Sequence, residues 1–200
     1  MISGTFFSLK GELTMQRCPW ADSSANMQAY HDYEWGRPHH DQRELFELLC
    51  LETYQAGLSW QTVLNKRAAF EEDFQHFEVA RVAAMTPADV DRLMTDERII
   101  RNRLKLNATV HNARVIRDWA GAQSFTEWLW AFVDGQPVRQ PWTSAQQMPA
   151  TNDLAKRVTK AMKQRGFKFV GPTTVYSYLQ AAGLINDHLI SCAFAPENQS

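Results

Sequence analysis

The chain has 200 residues, 44% of them apolar and 22% charged, with ordinary glycine and proline content. That is the composition of a soluble globular unit, and it excludes a disordered or fibrous chain. Basic and acidic residues nearly cancel, 21 against 22, so there is no overall attraction to a polyanion and any such affinity has to be local.

Residues 1–14 show no period and are read as an N-terminal extension outside the folded unit, which then spans 15–200. They make a poor signal peptide, and no apolar run approaches the span of a bilayer. Three cysteines cannot all pair, so a disulfide framework is not expected and the chain is read as cytoplasmic, with no membrane partner.

Asp41 and Glu44 form a capping-box pattern, after which Leu45, Leu48, Leu49 and Glu52 share one face of a helix of about three turns. Gln55-Ala56-Gly57-Leu58-Ser59-Trp60 follows as a flexible turn. Thr86 and Pro87 read as N-cap and first residue of a helix reaching Met94, and apolar residues from Ile100 through Leu104, Val110, Val115 and Ile116 place another within 99–119. Ser124 with Glu127 caps a helix over 125–133 that Gly135 ends. Pro137, Pro141 and Pro149 mark 134–152 as a loop. Thr151 or Asn152 caps the next helix, which stops at Gly166, and Pro172 opens a final one ending at Gly183. No stretch alternates with a period of two, so the expected class is all-α.

The last two helices form a helix, hairpin, helix unit. Free N–H groups and the positive dipole end at the start of the second helix, near Gly171 and Thr173, suit an anion such as a DNA phosphate, and Lys168 would reinforce it. From Asp153 to Lys168 there are six basic residues against one acid. Arg98, Arg101, Arg103 and Lys105 form a second basic run. Solvated lysine faces explain the same pattern, but the two runs together favour sequence-independent contact with DNA.

Glu52 is a carboxylate on an apolar face, where it has to pair, shift its pKa or face a pocket. Leu58 is an aliphatic wedge candidate, and Trp60 follows as a large ring. Trp20, Tyr30 and Trp35 crowd the same stretch as Cys18 and His31. A carboxylate, stacking rings, a wedge and a phosphate-binding hairpin are together what a base-flipping enzyme needs.

His188 and Cys192 are four apart, which on a helix projects both from one face, and Cys18 with His31 would complete a Cys2His2 set of the kind that closes around zinc. Small buried thiols and satisfied core histidines are the other reading, and spacing alone leaves both open. Cys50, in Leu48-Leu49-Cys50-Leu51, is read as core. Were all four to bind, no coordination position would remain for water, and the metal would be structural.

Several segments carry a resemblance: Arg17-Cys18-Pro19-Trp20, Ala29-Tyr30-His31-Asp32-Tyr33-Glu34-Trp35-Gly36, Leu51-Glu52 with Gln55 to Trp60, Arg165 to Gly171, and Gly183-Leu184-Ile185-Asn186-Asp187-His188. From about Met15 to Pro196 the chain resembles the bacterial 3-methyladenine DNA glycosylase I family. The resemblance implies an all-α helix-hairpin-helix glycosylase fold of two helical lobes with the base pocket between them. It implies an N-glycosyl hydrolase that acts on double-stranded DNA containing alkylated bases, as a monomer, and releases 3-methyladenine. It also implies one structural Zn2+ on Cys18, His31, His188 and Cys192, joining the two ends of the chain. By the same resemblance Glu52 is catalytic, Tyr30, Trp60 and Trp20 bind the base, and Gly57 and Leu58 lie in the DNA-intercalating turn. Pro19 stands where the family usually has glycine, Met27 where it has tyrosine, and Asp187 carries no assigned role. The alternative is a non-catalytic, zinc-stabilised DNA-binding module in which the aromatics are core.

Overall fold

The computed structural model describes residues 16–199, so the extension 1–14 lies outside the described residues. In chain order the helices are α1 (Ala25–Tyr33), α2 (Gln42–Gln55), α3 (Trp60–Leu64), α4 (Arg67–Asp73), α5 (Val79–Ala84), α6 (Pro87–Leu93), α7 (Arg103–Arg117), α8 (Phe125–Trp130), α9 (Asp153–Gln164) and α10 (Pro172–Ala181). The protein is predominantly helical, as the sequence predicts.

The caps explain where helices begin. Asp41 accepts from the Glu44 amide at 3.0 Å, but the Glu44 carboxylate turns to His39 Nδ1 at 2.9 Å instead of closing the box. α2 runs 14 residues, a turn longer than expected, and buries Leu45, Phe46, Leu48, Leu49 and Leu51. The expected N-cap Thr86 forms a complete box with Asp89, which the sequence reading did not name, and the expected box of Ser124 with Glu127 is complete. After α8 the chain tightens into a 3-10 turn and stops on Asp134 at φ 53°, one residue before the expected Gly135.

α7 starts later than its apolar pattern suggests. The side chain of Asn102 accepts from the amides of Leu104 and Lys105, at 3.1 and 3.2 Å, and so fixes the helix start. Leu104, read from sequence as part of the apolar face, consequently falls in the first turn and is 69% exposed.

The loop 134–152 contains a short strand, β1 (Val138–Arg139), paired in parallel with β2 (Ile185–Asn186) in the register Val138 to Ile185 and Arg139 to Asn186. Two residues a side are too few for alternation to be visible in sequence. The Arg139 guanidinium also donates to the carbonyls of Asn186 and His188, at 3.1 and 2.7 Å. This loop therefore holds the C-terminal segment in place.

Two apolar clusters form. The larger joins residues of α2 through α10. The smaller joins Cys18, Met27, Tyr30, Trp35, Leu64, Leu189, Cys192 and Ala195, bringing the two ends of the described chain together. Gly183 permits one close approach: it sits at φ +73°, and a Cβ there would collide with the backbone of Arg37 and Pro38.

α9 begins at Asn152, whose side chain accepts from the Ala155 amide at 2.8 Å, and Gly166 follows its end at φ +93°. Gly171 and Pro172 open α10. In the turn between them Phe167 and Val170 are buried while Lys168 and Phe169 are exposed. The buried Asn112 of α7 bonds both the amide and the carbonyl of Lys168, at 2.8 and 3.1 Å.

Candidate active site and metal centre

α2 ends beside a cavity of about 290 Å3 into which several parts of the chain converge. Glu52 and Gln55 come from α2, Met27 and Tyr30 from α1, and Trp60 from the first position of α3, with Trp20 and Trp35 on the same wall and Ser177, Gln180 and Met148 completing the lining. The rings pack at angles: Tyr30 and Trp60 at 5.1 Å between centroids and 52°, Trp20 and Trp35 at 5.1 Å and 80°. Cavities near 300 Å3 lined by rings and a few polar groups are typical receptors for one small ligand.

The polar groups are unusually bare. Glu52 is 5% exposed, and its Oε2 is buried with no hydrogen-bond partner, as are the hydroxyl of Tyr30 and the indole Nε1 of Trp60. Burial pushes the Glu52 carboxyl up to about 8. Burial raises Tyr30 as well, with the neighbouring Glu52 charge adding to it. A buried polar atom without a partner costs about 1–3 kcal/mol. Three around one cavity offer hydrogen-bonding positions to whatever occupies it.

The structure brings Glu52, Tyr30, Trp60 and Trp20 together. Met148, Ser177 and Gln180 were not foreseen, since the first lies in a loop and the others share a helix with core residues. Asp187 does not line the cavity. It is fully buried and accepts from Tyr176 Oη at 2.5 Å, Gln180 Nε2 at 2.6 Å and Trp142 Nε1 at 2.8 Å, so it positions Gln180.

Between Gln55 and Trp60 the chain turns through Gly57 at φ +86°, and Leu58 is 44% exposed at its tip. The Leu58 amide donates to Gln55 O at 2.7 Å, and Ser59 caps α3. On the hairpin, Lys168 and Thr173 are exposed, and the space a Cβ would take at Gly171 is open.

The second basic run is not a free positive surface. Arg98 pairs with Asp96 at 2.8 Å and Glu72 at 2.6 Å, Arg103 with Asp91, and Arg101 with Glu97 at 3.6 Å. Lys105 is 6% exposed, its Nζ bound to the carbonyls of Tyr54 and Ala56 at 3.0 and 2.7 Å. The cations left without an ion pair among the described residues include Arg157, Lys160, Lys163 and Lys168, on α9 and its turn.

Cys18, His31 and Cys192 bring one donor atom each within 4.8 Å of one another, all buried. His188 and Cys192 do not lie on a helix, as their spacing suggested, but in the irregular segment that follows β2. His188 adjoins the group: its ring meets that of His31 at 4.9 Å, edge to face, and its Nε2 is buried without a partner. His31 Nδ1 lies 2.8 Å from Asp32 Oδ1 and His188 Nδ1 lies 3.0 Å from Asn186 Oδ1, which leaves Nε2 of each as the available donor. Histidines that ligate metals are characteristically held this way. Burial and the nearby His31 push His188 down to about 4, leaving it neutral. Cys192 Sγ lies 3.5 Å from His31 Nε2, and the neighbouring Cys18 thiol and His31 lower the Cys192 thiol. Two thiols and two oriented imidazoles are a donor set that fits a zinc-like cation.

A helical protein with a ring-lined cavity around a desolvated carboxyl is built to receive one small molecule or group. The chain belongs to the methyladenine glycosylase family, whose model matches residues 20–195. It is 44% identical to DNA-3-methyladenine glycosylase 1 of Escherichia coli, over 92% of this chain and 100% of that protein. It is 41% identical to the DNA-3-methyladenine glycosylase of Haemophilus influenzae, over 88% and 96%. The structure of 3-methyladenine DNA glycosylase I from Staphylococcus aureus, solved to describe recognition of 3-methyladenine, superposes with a TM-score of 0.86 at 43% identity, over 91% of this chain and 97% of that one.

Proposed function

We propose that the protein removes 3-methyladenine from alkylated double-stranded DNA, hydrolysing the N-glycosidic bond with the base flipped into the cavity around Glu52. The observation that carries this reading is the buried, partnerless Oε2 of Glu52 among Tyr30, Trp60 and Trp20. The names of the relatives supply the base and the reaction.

Methylation at N3 leaves adenine cationic, so it departs as a neutral base and needs no acid to protonate it. What the enzyme has to supply is a place where the cation is favoured and held. Glu52 touches the base in this reading and is the catalytic residue, its carboxylate accepting from the base edge. The cation in turn favours the ionised carboxylate, reversing the effect of burial. Trp60 and Tyr30 provide stacking and edge contacts, and Trp20 closes the wall. The buried indole N–H of Trp60 and hydroxyl of Tyr30 are donors in want of acceptors.

DNA engagement falls to two elements. α9, its turn and α10 serve as a helix-hairpin-helix unit, with Lys168, Gly171 and Thr173 at a phosphate, and Gly57 and Leu58 present the wedge that fills the gap left by the base. Cys18, His31, His188 and Cys192 would hold one Zn2+. Bound there with no open position, it supplies no step of the reaction and fastens the chain ends beside Tyr30. Residues 15–200 act as one unit of two helical lobes, monomeric and cytoplasmic.

Incubation with methylated duplex DNA, followed by chromatographic identification of the free base, tests the reading. Release of 3-methyladenine is expected. Salt-sensitive DNA binding without base release would leave the DNA-binding module as the better account.

A further inference from the structure

Lys105 and Asn112 are seven residues apart on α7, so they project from nearly the same face at a spacing of about 10 Å. Both are buried, at 6% and 2% exposure. Each spends its polar atoms on the backbone of a segment ending in an exposed apolar residue. Lys105 Nζ donates to Tyr54 O and Ala56 O, where α2 runs into the turn that carries Leu58. Asn112 bonds the amide and carbonyl of Lys168, the residue before Phe169, at the tip of the turn between α9 and α10. The neighbouring His111 ring also meets Gly166 O at 2.8 Å.

The Lys105 ammonium makes no ion pair with a carboxylate among the described residues. A buried cation held only by carbonyls is a costly way to close a helix end, where an ordinary glycine cap would serve. Its return is a fixed anchor: two charge-assisted bonds pin the last carbonyls of α2 and the root of the Leu58 turn to a rigid helix. Asn112 does the same for the hairpin with paired bonds that only a side-chain amide in that position supplies.

We infer that Lys105 and Asn112 are positioning residues, which use α7 as a spacer to set the wedge turn and the phosphate-binding hairpin at the separation duplex DNA requires. The inference rests on the proposed function, which makes those two segments the DNA-contacting ones. Neither residue lines the base cavity. DNA engagement therefore depends on them, and recognition of the free base does not.

Lys105→Met is expected to lower kcat/KM for excision from methylated duplex DNA by roughly tenfold, while affinity for free 3-methyladenine, read by quenching of tryptophan fluorescence, stays within about twofold. Lys105→Gln, which retains a donor, recovers part of the loss. Combined with Leu58→Ala, Lys105→Met adds little, because the same turn is already disabled. Asn112→Ala tests the other anchor with the same two readouts, and together with Lys105→Gln it replaces Lys105→Met if that variant does not fold. Unchanged excision, parallel loss of free-base affinity, or full additivity with Leu58→Ala overturns the inference. A wild type that releases no base removes the proposed function and the inference together; an active wild type with additive variants removes the inference alone.

Discussion

The Trp35 ring, part of the cavity wall, meets the His188 imidazole at 4.7 Å between centroids, edge to face. Trp20, another wall residue, meets His31 in the same way at 5.2 Å. The candidate metal ligands thus form the back of the cavity without opening into it, and stability and chemistry are separable by mutation.

With the proposed metal at this site, Cys192→Ser is expected to lower metal content first and stability with it, by several kcal/mol, or a Tm lower by on the order of 10 °C. Excision at low temperature should persist while the fold holds. Elemental analysis beside thermal melts and base-release assays checks this; lost excision in a stable, metal-replete variant would contradict it.

Glu52 makes stability depend on pH in a definite direction. Burial raises its carboxyl from 4.5 to about 8, so the folded chain binds this proton more tightly than the unfolded chain. Its contribution is full below about pH 4.5 and is lost as pH rises through about 8. Glu52→Gln removes that loss and should be more stable than wild type by a few kcal/mol near pH 9, with little difference near pH 4. Denaturant melts at the two pH values decide it.

The same shift sets the pH profile of excision. Ionised Glu52 is the form that pairs with a cationic base, so kcat/KM should rise with pH by up to about tenfold per unit and level off near 8. The Glu52→Gln variant should lack this rise. A wild-type profile flat from pH 6 to 9 would refute it.

DNA affinity should separate the two basic runs. Lys160→Gln, Lys163→Gln and Lys168→Gln are expected to weaken binding and to reduce the slope of log affinity against log salt by about one each. Arg98→Gln and Arg103→Gln remove cations already spent on Asp96, Glu72 and Asp91 and should leave that slope unchanged. Binding titrations across salt concentrations measure both.

Gly183→Ala places a Cβ against the Arg37 and Pro38 backbone at a positive φ and should cost about 3 kcal/mol or more. A melt within 2 °C of wild type would show that the segment moves aside.

Much of this was legible in the sequence because it rests on local chemistry. Thr86 before Pro87 and Ser124 with Glu127 name their own caps, and Gly166 and Gly171 bracket the hairpin. What was not legible depends on partners distant in sequence. Nothing near Arg98 or Arg103 announces that Glu72 and Asp91 pair with them, and the burial of Lys105 is decided by carbonyls about fifty residues upstream. The spacing of His188 and Cys192 suggested a helix, but β2 pairing with Val138 and Arg139 extends the chain just before them, and an irregular segment carries both residues. Ser177 and Gln180 reach the cavity only because α10 packs against α2, a relationship no window of sequence contains.

Single-turnover release of 3-methyladenine from methylated duplex DNA by wild type and Glu52→Gln, beside each protein's affinity for the free base, tests the central claim most directly. The wild type should release the base, and Glu52→Gln should do so roughly a hundredfold more slowly or worse, with weaker base binding, as expected for loss of a desolvated charge partner. Equal rates and equal affinities in the two proteins would contradict the role given to Glu52 and the cavity built around it.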